Sequence, residues 1–158
     1  MVSMVYMPEA RKATVADYRA NLIAAAERYL TEYGWRTQVI DNQLMLPFDG
    51  DLIGVSIPAG RAGELNHQLA MHRLSYPVVA LPTPRHRWVF LASCTAASHY
   101  LPTAHFVALL RYQDRIPLPP SQSGSGQLRW VVEPPDHSAA IPEVGPLLKI
   151  AHLASAAR

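Results

Sequence analysis

The strongest pattern in the sequence is an apolar face that repeats at helical spacing between Thr14 and Tyr33. Apolar residues recur there at steps of three and four, which predicts an amphipathic helix that packs one side against a core. Thr14 is suited to the N-cap, and Gly34 to the left-handed residue that often ends a helix. The residues on the predicted buried face are Val15, Tyr18, Leu22, Ala26, Tyr29 and Tyr33.

Beyond this helix, short apolar runs alternate with turn residues and further helical segments. The predicted strands are 37–40, 43–48, 51–57, 77–81, 86–92, 116–118 and 128–132, and the predicted helices are 60–74, 102–111 and 142–157. Asp41-Asn42 is a typical hairpin turn between the first two strands. Because helices and hairpins alternate, we expect an α+β fold with a mixed, largely antiparallel sheet and flanking helices. The 158 residues fit an N-terminal extension, 1–13, and a single domain, 14–158.

Composition excludes several classes of protein. The chain is 49% hydrophobic and 16% charged, which excludes a disordered chain, and its formal charge of +2 excludes a strongly basic coat. The single cysteine, Cys94, excludes a disulfide framework and a Cys-rich zinc module, and we expect it in the core. No apolar run approaches the ~20 residues that span a bilayer, and no signal peptide is evident. We therefore expect a cytoplasmic protein without a membrane partner.

Positive charge is concentrated in the middle of the chain. Residues 1–60 have a net charge of −2, whereas residues 61–132 carry seven arginines against Glu64 and Asp114, a net charge of +5. Arginine is well suited to bidentate contact with phosphate, although a genome of high GC content would also favour it over lysine. The seven are Arg61, Arg73, Arg85, Arg87, Arg111, Arg115 and Arg129.

The densest polar group is Arg85-His86-Arg87-Trp88. In a strand, Arg85 and Arg87 would share one face, and His86 and Trp88 the other. His86 is a candidate phosphate ligand or a half-buried histidine that donates to a backbone carbonyl.

Sequence patterns for metal ions and nucleophiles are weak. The seven histidines form no H-E-x-x-H pair, and no Cys/His ligand cluster is present. Asp49 and Asp51 are either a carboxylate pair for Mg²⁺ or a solvated turn. We assign no catalytic residue, no metal ligand and no cofactor.

The order of segments resembles a known family. The features that carry the resemblance are the Tyr33-Gly-Trp35 end of the first helix, the run 51–60, the run 83–90, and the Pro119-Pro-Ser121 block followed by Arg129-Trp130. A helix start at 141–148 completes the pattern. Together they are similar to the N-terminal domain of bifunctional primase/polymerases, the small archaeo-eukaryotic primase type of plasmid and phage replication proteins. The similarity covers roughly Val15 to Leu153.

The resemblance also implies that the metal site is lost. Active members carry a D-x-D metal pair on the strand before the second helix, and Ser56 and Pro58 occupy those positions here. A third acid is implied near Leu109, Leu110 and Arg111, with Asp114 several residues late, whereas the motif histidine is matched by His86. Two-metal nucleotidyl transfer needs carboxylates to hold Mg²⁺.

These observations predict a catalytically inactive primase-polymerase-like domain that binds DNA, RNA or a nucleotide. The expected phosphate contacts are Arg85, His86, Arg87, Arg115, Ser121, Ser123 and Arg129, with Trp130 as a stacking surface for a base. One alternative is a regulatory module that binds another protein, or a second copy, through the apolar end 147–154. Another is an active polymerase that uses Asp49 and Asp51 as displaced metal ligands.

Overall fold

The computed structural model describes residues 8–95, 103–135 and 141–156. Within these ranges the chain forms three helices, α1 (Pro8–Tyr33), α2 (Ala59–Met71) and α3 (Val144–Ala156). The strands are β1 (Gln38–Ile40), β2 (Gln43–Pro47), β3 (Leu52–Pro58), β4 (Val78–Leu81), β5 (Arg87–Ser93), β6 (Ala108–Leu110), β7 (Arg115–Pro117), β8 (Gln122–Ser123), β9 (Gly126–Gln127) and β10 (Arg129–Val132).

The main sheet has five strands in the order β10-β4-β5-β3-β6, and every neighbouring pair is antiparallel. Strands β1, β2 and β7 form a second antiparallel sheet, and β8 and β9 form a two-stranded ribbon. The α+β class and the antiparallel pairing predicted from the sequence are therefore confirmed.

The first hairpin forms as predicted. Gln38–Ile40 pairs with Gln43–Met45, and Asp41 and Asn42 between them both have positive φ, 51° and 61°. Positive φ at both central residues is characteristic of a type I′ turn, whose twist matches that of the flanking strands. The turn fixes the register of β1 on β2.

Helix α1 ends as predicted but begins earlier. Gly34 has φ of 73°, and its N–H donates to the carbonyl of Leu30 at 3.0 Å, which is the left-handed C-terminal cap expected of glycine. The predicted start at Thr14 was wrong, because the helix extends back to Pro8, inside the segment assigned to an N-terminal extension. Proline is tolerated in the first turn of a helix, where its missing N–H has no partner to lose.

The helix predicted over 102–111 was also wrong. Its described part contains strand β6, in which Leu110 lies opposite Gly54 and Ala108 opposite Ser56 of β3. The short apolar run pairs with the otherwise free edge of β3, so the backbone N–H and C=O groups on that edge gain hydrogen-bond partners.

Two apolar clusters lie on opposite faces of the main sheet. Phe90 and Ala92 of β5 pack with α2 and α3, whereas Val89 and Leu91 pack with α1 and the three-stranded sheet. This alternation makes β5 buried on both faces. Cys94 lies in the first cluster, as expected, and burial raises the pKa of its thiol.

The C-terminal apolar segment belongs mainly to the core rather than to a free surface. Leu147, Leu148 and Ala151 of α3 are buried, and Leu153 is exposed. The apolar residues that suggested a partner surface at 147–154 are thus largely used in packing. Among the described residues, no helix is long and apolar enough to cross a membrane.

Candidate functional site

The antiparallel register brings several predicted site residues to one end of the main sheet. Arg87, the first residue of β5, lies opposite both Pro58 at the end of β3 and Leu81 at the end of β4. Arg129, the first residue of β10, lies opposite Ala80. We call Arg85, His86, Arg87 and Arg129 the basic end of the sheet.

The turn before β5 holds Arg85 and His86 at this end. His86 has φ of 46°, its N–H donates to the carbonyl of Thr83 at 2.9 Å, and its carbonyl accepts the N–H of Ala59 at 2.8 Å. The second bond ties the turn to the start of α2. Arg85 and His86 are both exposed, so the turn presents them to solvent.

A pocket of about 360 Å³ lies at the basic end. His86, Arg129 and the amide of Gln127 supply its polar side chains, and no carboxylate of the described residues lines it. Its apolar wall consists of Ala59, Ala80, Leu81, Pro82 and Trp88. The combination of the Arg129 guanidinium, two further polar side chains and an apolar wall suits a phosphate-bearing ligand.

The start of α2 reinforces the positive potential of this pocket. Pro58 at the N-cap makes no side-chain capping bond, and the first turn of α2 contains no acidic residue. The first N–H groups of a helix carry a partial positive charge that favours anions. Arg61 follows in that first turn, with its guanidinium carbon 4.6 Å from the centroid of the Phe106 ring.

Arg87 lies on the other face of the sheet, beside Ser56, which is one of the two positions at which the resemblance implies metal ligands. Its Nε donates to Ser56 Oγ at 2.6 Å, and one terminal nitrogen donates to the carbonyls of Ser56 at 2.8 Å and Phe106 at 3.4 Å. Ser56 is only 6% exposed. A divalent cation does not fit these residues, because Ser56 and Pro58 offer no anionic oxygen and a guanidinium lies against Ser56.

His86 does not share a face with Ser56. It lines the pocket with Trp88, which packs in the α2–α3 cluster on the face opposite Ser56. Arg87, one residue later, is the side chain that reaches Ser56. The resemblance implies that His86 lies beside Ser56 and Pro58, but the strand register places His86 and Ser56 on opposite faces of the sheet.

Arg115 lies apart from the basic end. It is exposed on β7, opposite Pro47, and Pro47 leads into the turn that starts β3. Arg87 lies at the other end of β3, opposite Pro58. Seven residues of extended strand span about 20 Å, so Arg115 is assigned to a different end of the fold from Arg129.

Of the two serines expected to contact phosphate, Ser121 is fully buried and Ser123 is engaged locally. Ser121 Oγ accepts the N–H of Leu44 at 2.8 Å, which joins the loop to β2. Ser123 Oγ donates to the carbonyl of Gly126 and accepts the N–H of Ser125 within its own turn. Ser121 is thus a structural residue, and the expectation that it contacts phosphate was wrong.

Substitution of Ser121 by alanine is expected to lower the free energy of unfolding by about 1–3 kcal/mol, because the buried N–H of Leu44 would lose its acceptor. Urea unfolding of Ser121→Ala measures this loss, with Ser125→Ala, at an exposed turn position, as the matched control. Equal stability of the two variants would contradict the structural role.

Trp130 is partly buried in an aromatic cluster. Its Nε1–H donates to Tyr29 Oη at 3.1 Å, and its ring lies 6.4 Å from that of Trp35. These contacts hold α1 on the sheet, so the ring is engaged in packing rather than presented whole as a stacking surface.

Asp49 and Asp51 precede β3, as expected for residues outside the central strand. They lie at the end of β3 remote from Pro58. Asp114 accepts the N–H of Arg111 at 2.9 Å within its own turn. Within the described part of the chain, no group of three or more His, Cys, Asp or Glu side chains is arranged to hold a metal ion.

Sequence reasoning missed Gln127, Trp88 and Ala59 as lining residues of the pocket. The alternation Arg87-Trp88 gave a partial signal for Trp88, since it predicted that His86 and Trp88 share a face.

Comparison of the chain with protein-family models, curated proteins and solved structures found no significant match.

Proposed function

We propose that the protein binds nucleic acid through phosphate contacts at the basic end, without catalysing nucleotidyl transfer. The observation that carries the proposal is a pocket lined by His86 and Arg129, and by no carboxylate among the described residues, with Arg85 exposed in the turn next to His86. Arg85 and Arg129 are exposed, and neither forms an ion pair with a described residue. Their guanidinium groups are therefore available to a ligand.

The arrangement of side chains favours a phosphate over a carboxylate as the group that binds in this pocket. The His86 imidazole lines the pocket from the turn before β5 and the Arg129 guanidinium lines it from β10, while Ala59 places the start of α2 on a third side. A phosphate has several acceptor oxygens that such donors can share. A polyanion whose successive phosphates reach Arg129 and Arg85 in turn gains from both.

The Arg87–Ser56 contact disfavours metal-dependent transfer on this face of the sheet. The guanidinium places a positive charge against Ser56, one of the two positions at which the resemblance implies metal ligands. Binding is accordingly expected to be unchanged by EDTA. A requirement for Mg²⁺ would contradict the proposal.

The test is fluorescence anisotropy with a labelled oligothymidylate at about 50 mM and about 200 mM salt. The Arg85→Ala/Arg129→Ala double variant is expected to bind at least about tenfold more weakly at the lower salt, since each lost charge-assisted contact contributes about 1.5–3 kcal/mol. The slope of log K against log salt should fall by about 1.4, because about 0.7 is lost for each single-strand phosphate contact.

Arg115→Ala is the matched control, because it removes the same charge from an exposed strand position in the other sheet. It should bind like the parent protein. The proposal fails if the double variant binds as tightly as Arg115→Ala, or if the parent protein binds no oligonucleotide at low salt. RNA and duplex DNA of matched length, titrated in parallel, identify the preferred nucleic acid.

A further inference from the structure

A second and larger cavity, of about 590 Å³, lies at the opposite end of β3. We call it the Asp49–Asp51 cavity. It is bounded by the end of α1 and the turn between β2 and β3, and it lies apart from the basic end. The side chains that give it its chemistry are Tyr33, Trp35, Arg36, Asp49, Asp51 and Ser93.

The aromatic wall of this cavity is held in place. The rings of Tyr33 and Trp35 lie 5.0 Å apart, and Trp35 is also stacked on Tyr29 at 6.0 Å. The glycine cap at Gly34 reverses the chain between Tyr33 and Trp35, which allows both rings to line the cavity. The wall requires little ordering when a ligand binds, which favours affinity.

The carboxylates of the cavity have free capacity to accept hydrogen bonds. Asp49 Oδ1 accepts the N–H of Gly50 at 2.8 Å, and the backbone carbonyl of Asp51 accepts the N–H of Cys94 at 2.7 Å. Neither carboxylate forms an ion pair with a described residue, Arg36 on the same cavity included. The described residues that line the cavity, with two aspartates and one arginine, therefore carry one net negative charge beside an aromatic wall.

We propose that the Asp49–Asp51 cavity binds an organic cation, namely an amidinium, guanidinium or ammonium group on an apolar body. The cationic group would interact with Asp49 and Asp51, and the apolar body with Trp35 and Tyr33. Carboxylates provide charge-assisted acceptors, and aromatic faces attract cations and stack on planar guanidinium groups. This inference is independent of nucleic-acid binding, since it uses none of the residues of the basic end.

The test is isothermal titration calorimetry of the full chain with benzamidine, and with benzamide as its uncharged analogue of nearly the same shape. We expect benzamidine to bind at least about tenfold more tightly than benzamide, since a single charge-assisted contact exceeds the 1.4 kcal/mol that a factor of ten requires. Agmatine and a blocked arginine amide, titrated in the same way, distinguish a free small molecule from a protein side chain as the natural source of the cation.

Charge-changing variants separate this site from non-specific binding, because they have opposite expected effects. Asp49→Asn/Asp51→Asn should weaken benzamidine binding at least about tenfold, whereas Arg36→Gln should strengthen it about threefold by removing a like charge. Asp41→Asn, at the exposed β1–β2 turn, is the matched control and should leave binding unchanged. The asparagine substitutions preserve side-chain shape at exposed positions, so folding is expected to be retained.

The proposal is overturned if benzamide binds as tightly as benzamidine, or if the Asp49→Asn/Asp51→Asn variant binds like Asp41→Asn. It is also overturned if Mg²⁺ at low millimolar concentration displaces benzamidine completely, since the carboxylates would then form a metal site.

Discussion

The free energy of unfolding is expected to fall by roughly 4–5 kcal/mol as the pH rises from about 9 to about 12. Burial raises the pKa of Tyr29 and of Tyr76 to about 12 in the folded protein, from 10.0 for the free side chain. The Tyr29 hydroxyl donates to the carbonyl of Pro119 at 2.7 Å, and that of Tyr76 to the carbonyl of Glu143 at 2.6 Å. Both bonds require the protonated phenol.

The direction follows from proton binding in the two states. Between about pH 9 and pH 12 the unfolded chain loses the phenolic protons of Tyr29 and Tyr76 while the folded chain retains most of them, so the folded state binds more protons and stability decreases with pH. Below about pH 9 both states are protonated, and neither tyrosine contributes a pH dependence. Each tyrosine accounts for roughly 2–3 kcal/mol, because one unit of pKa corresponds to about 1.4 kcal/mol.

Urea unfolding at a series of alkaline pH values measures this loss. Tyr76→Phe should remove about half of the pH dependence, although the lost hydrogen bond lowers its stability at neutral pH. Tyr112→Phe is the control, since Tyr112 is 76% exposed and should leave the pH dependence unchanged. A stability profile that is flat up to pH 12 would contradict the burial of both phenols.

Phe48→Ala is expected to lower the free energy of unfolding by about 3–5 kcal/mol. Phe48 is 1% exposed, and its ring lies in the cluster between α1, the three-stranded sheet and the main sheet. A Cβ added to Gly54 would lie 2.6 Å from Phe48 Cζ, which shows how closely the ring approaches β3. Since domains typically have 5–15 kcal/mol of stability, this variant would be marginal.

Gly54 provides an independent test of that contact. Gly54→Ala alone is expected to cost about 1–3 kcal/mol through overpacking, and the cost should be smaller in the Phe48→Leu background, where the ring is absent. Leu153→Ala, at an exposed position of α3, is the control and should change stability by less than about 0.5 kcal/mol. A Phe48→Ala variant as stable as the control, or additive costs in the double variant, would refute the packing.

The sequence predicted correctly those helices, strands and turns that are specified by their own residues. The Asp41-Asn42 turn and the strand ending at Pro58 were correct to within about a residue. The run at 107–110 was not, because a short apolar segment fits a helix or a strand equally well. The free edge of β3, which is remote in sequence, selects the strand.

The same distinction applies to the candidate site. The proximity of Arg85, His86 and Arg87 follows from their adjacency, but Arg129 joins them only through the pairing of β10 with β4. Arg115 was grouped with them by charge, yet its strand belongs to the other sheet. Ser121 is in a segment rich in serine, glycine and proline that is typical of a surface loop, and its burial depends on a backbone N–H of β2.

The Arg87–Ser56 contact makes the positive charge on that face of the sheet a permanent part of the chain. A bound metal ion is lost to chelators and to acid, whereas a guanidinium is covalently attached and is not deprotonated in proteins. The three hydrogen bonds to Ser56 and Phe106 also fix its position. The electrostatic field of this face is therefore independent of the metal-ion content of the surroundings, and it is present as soon as the chain has folded.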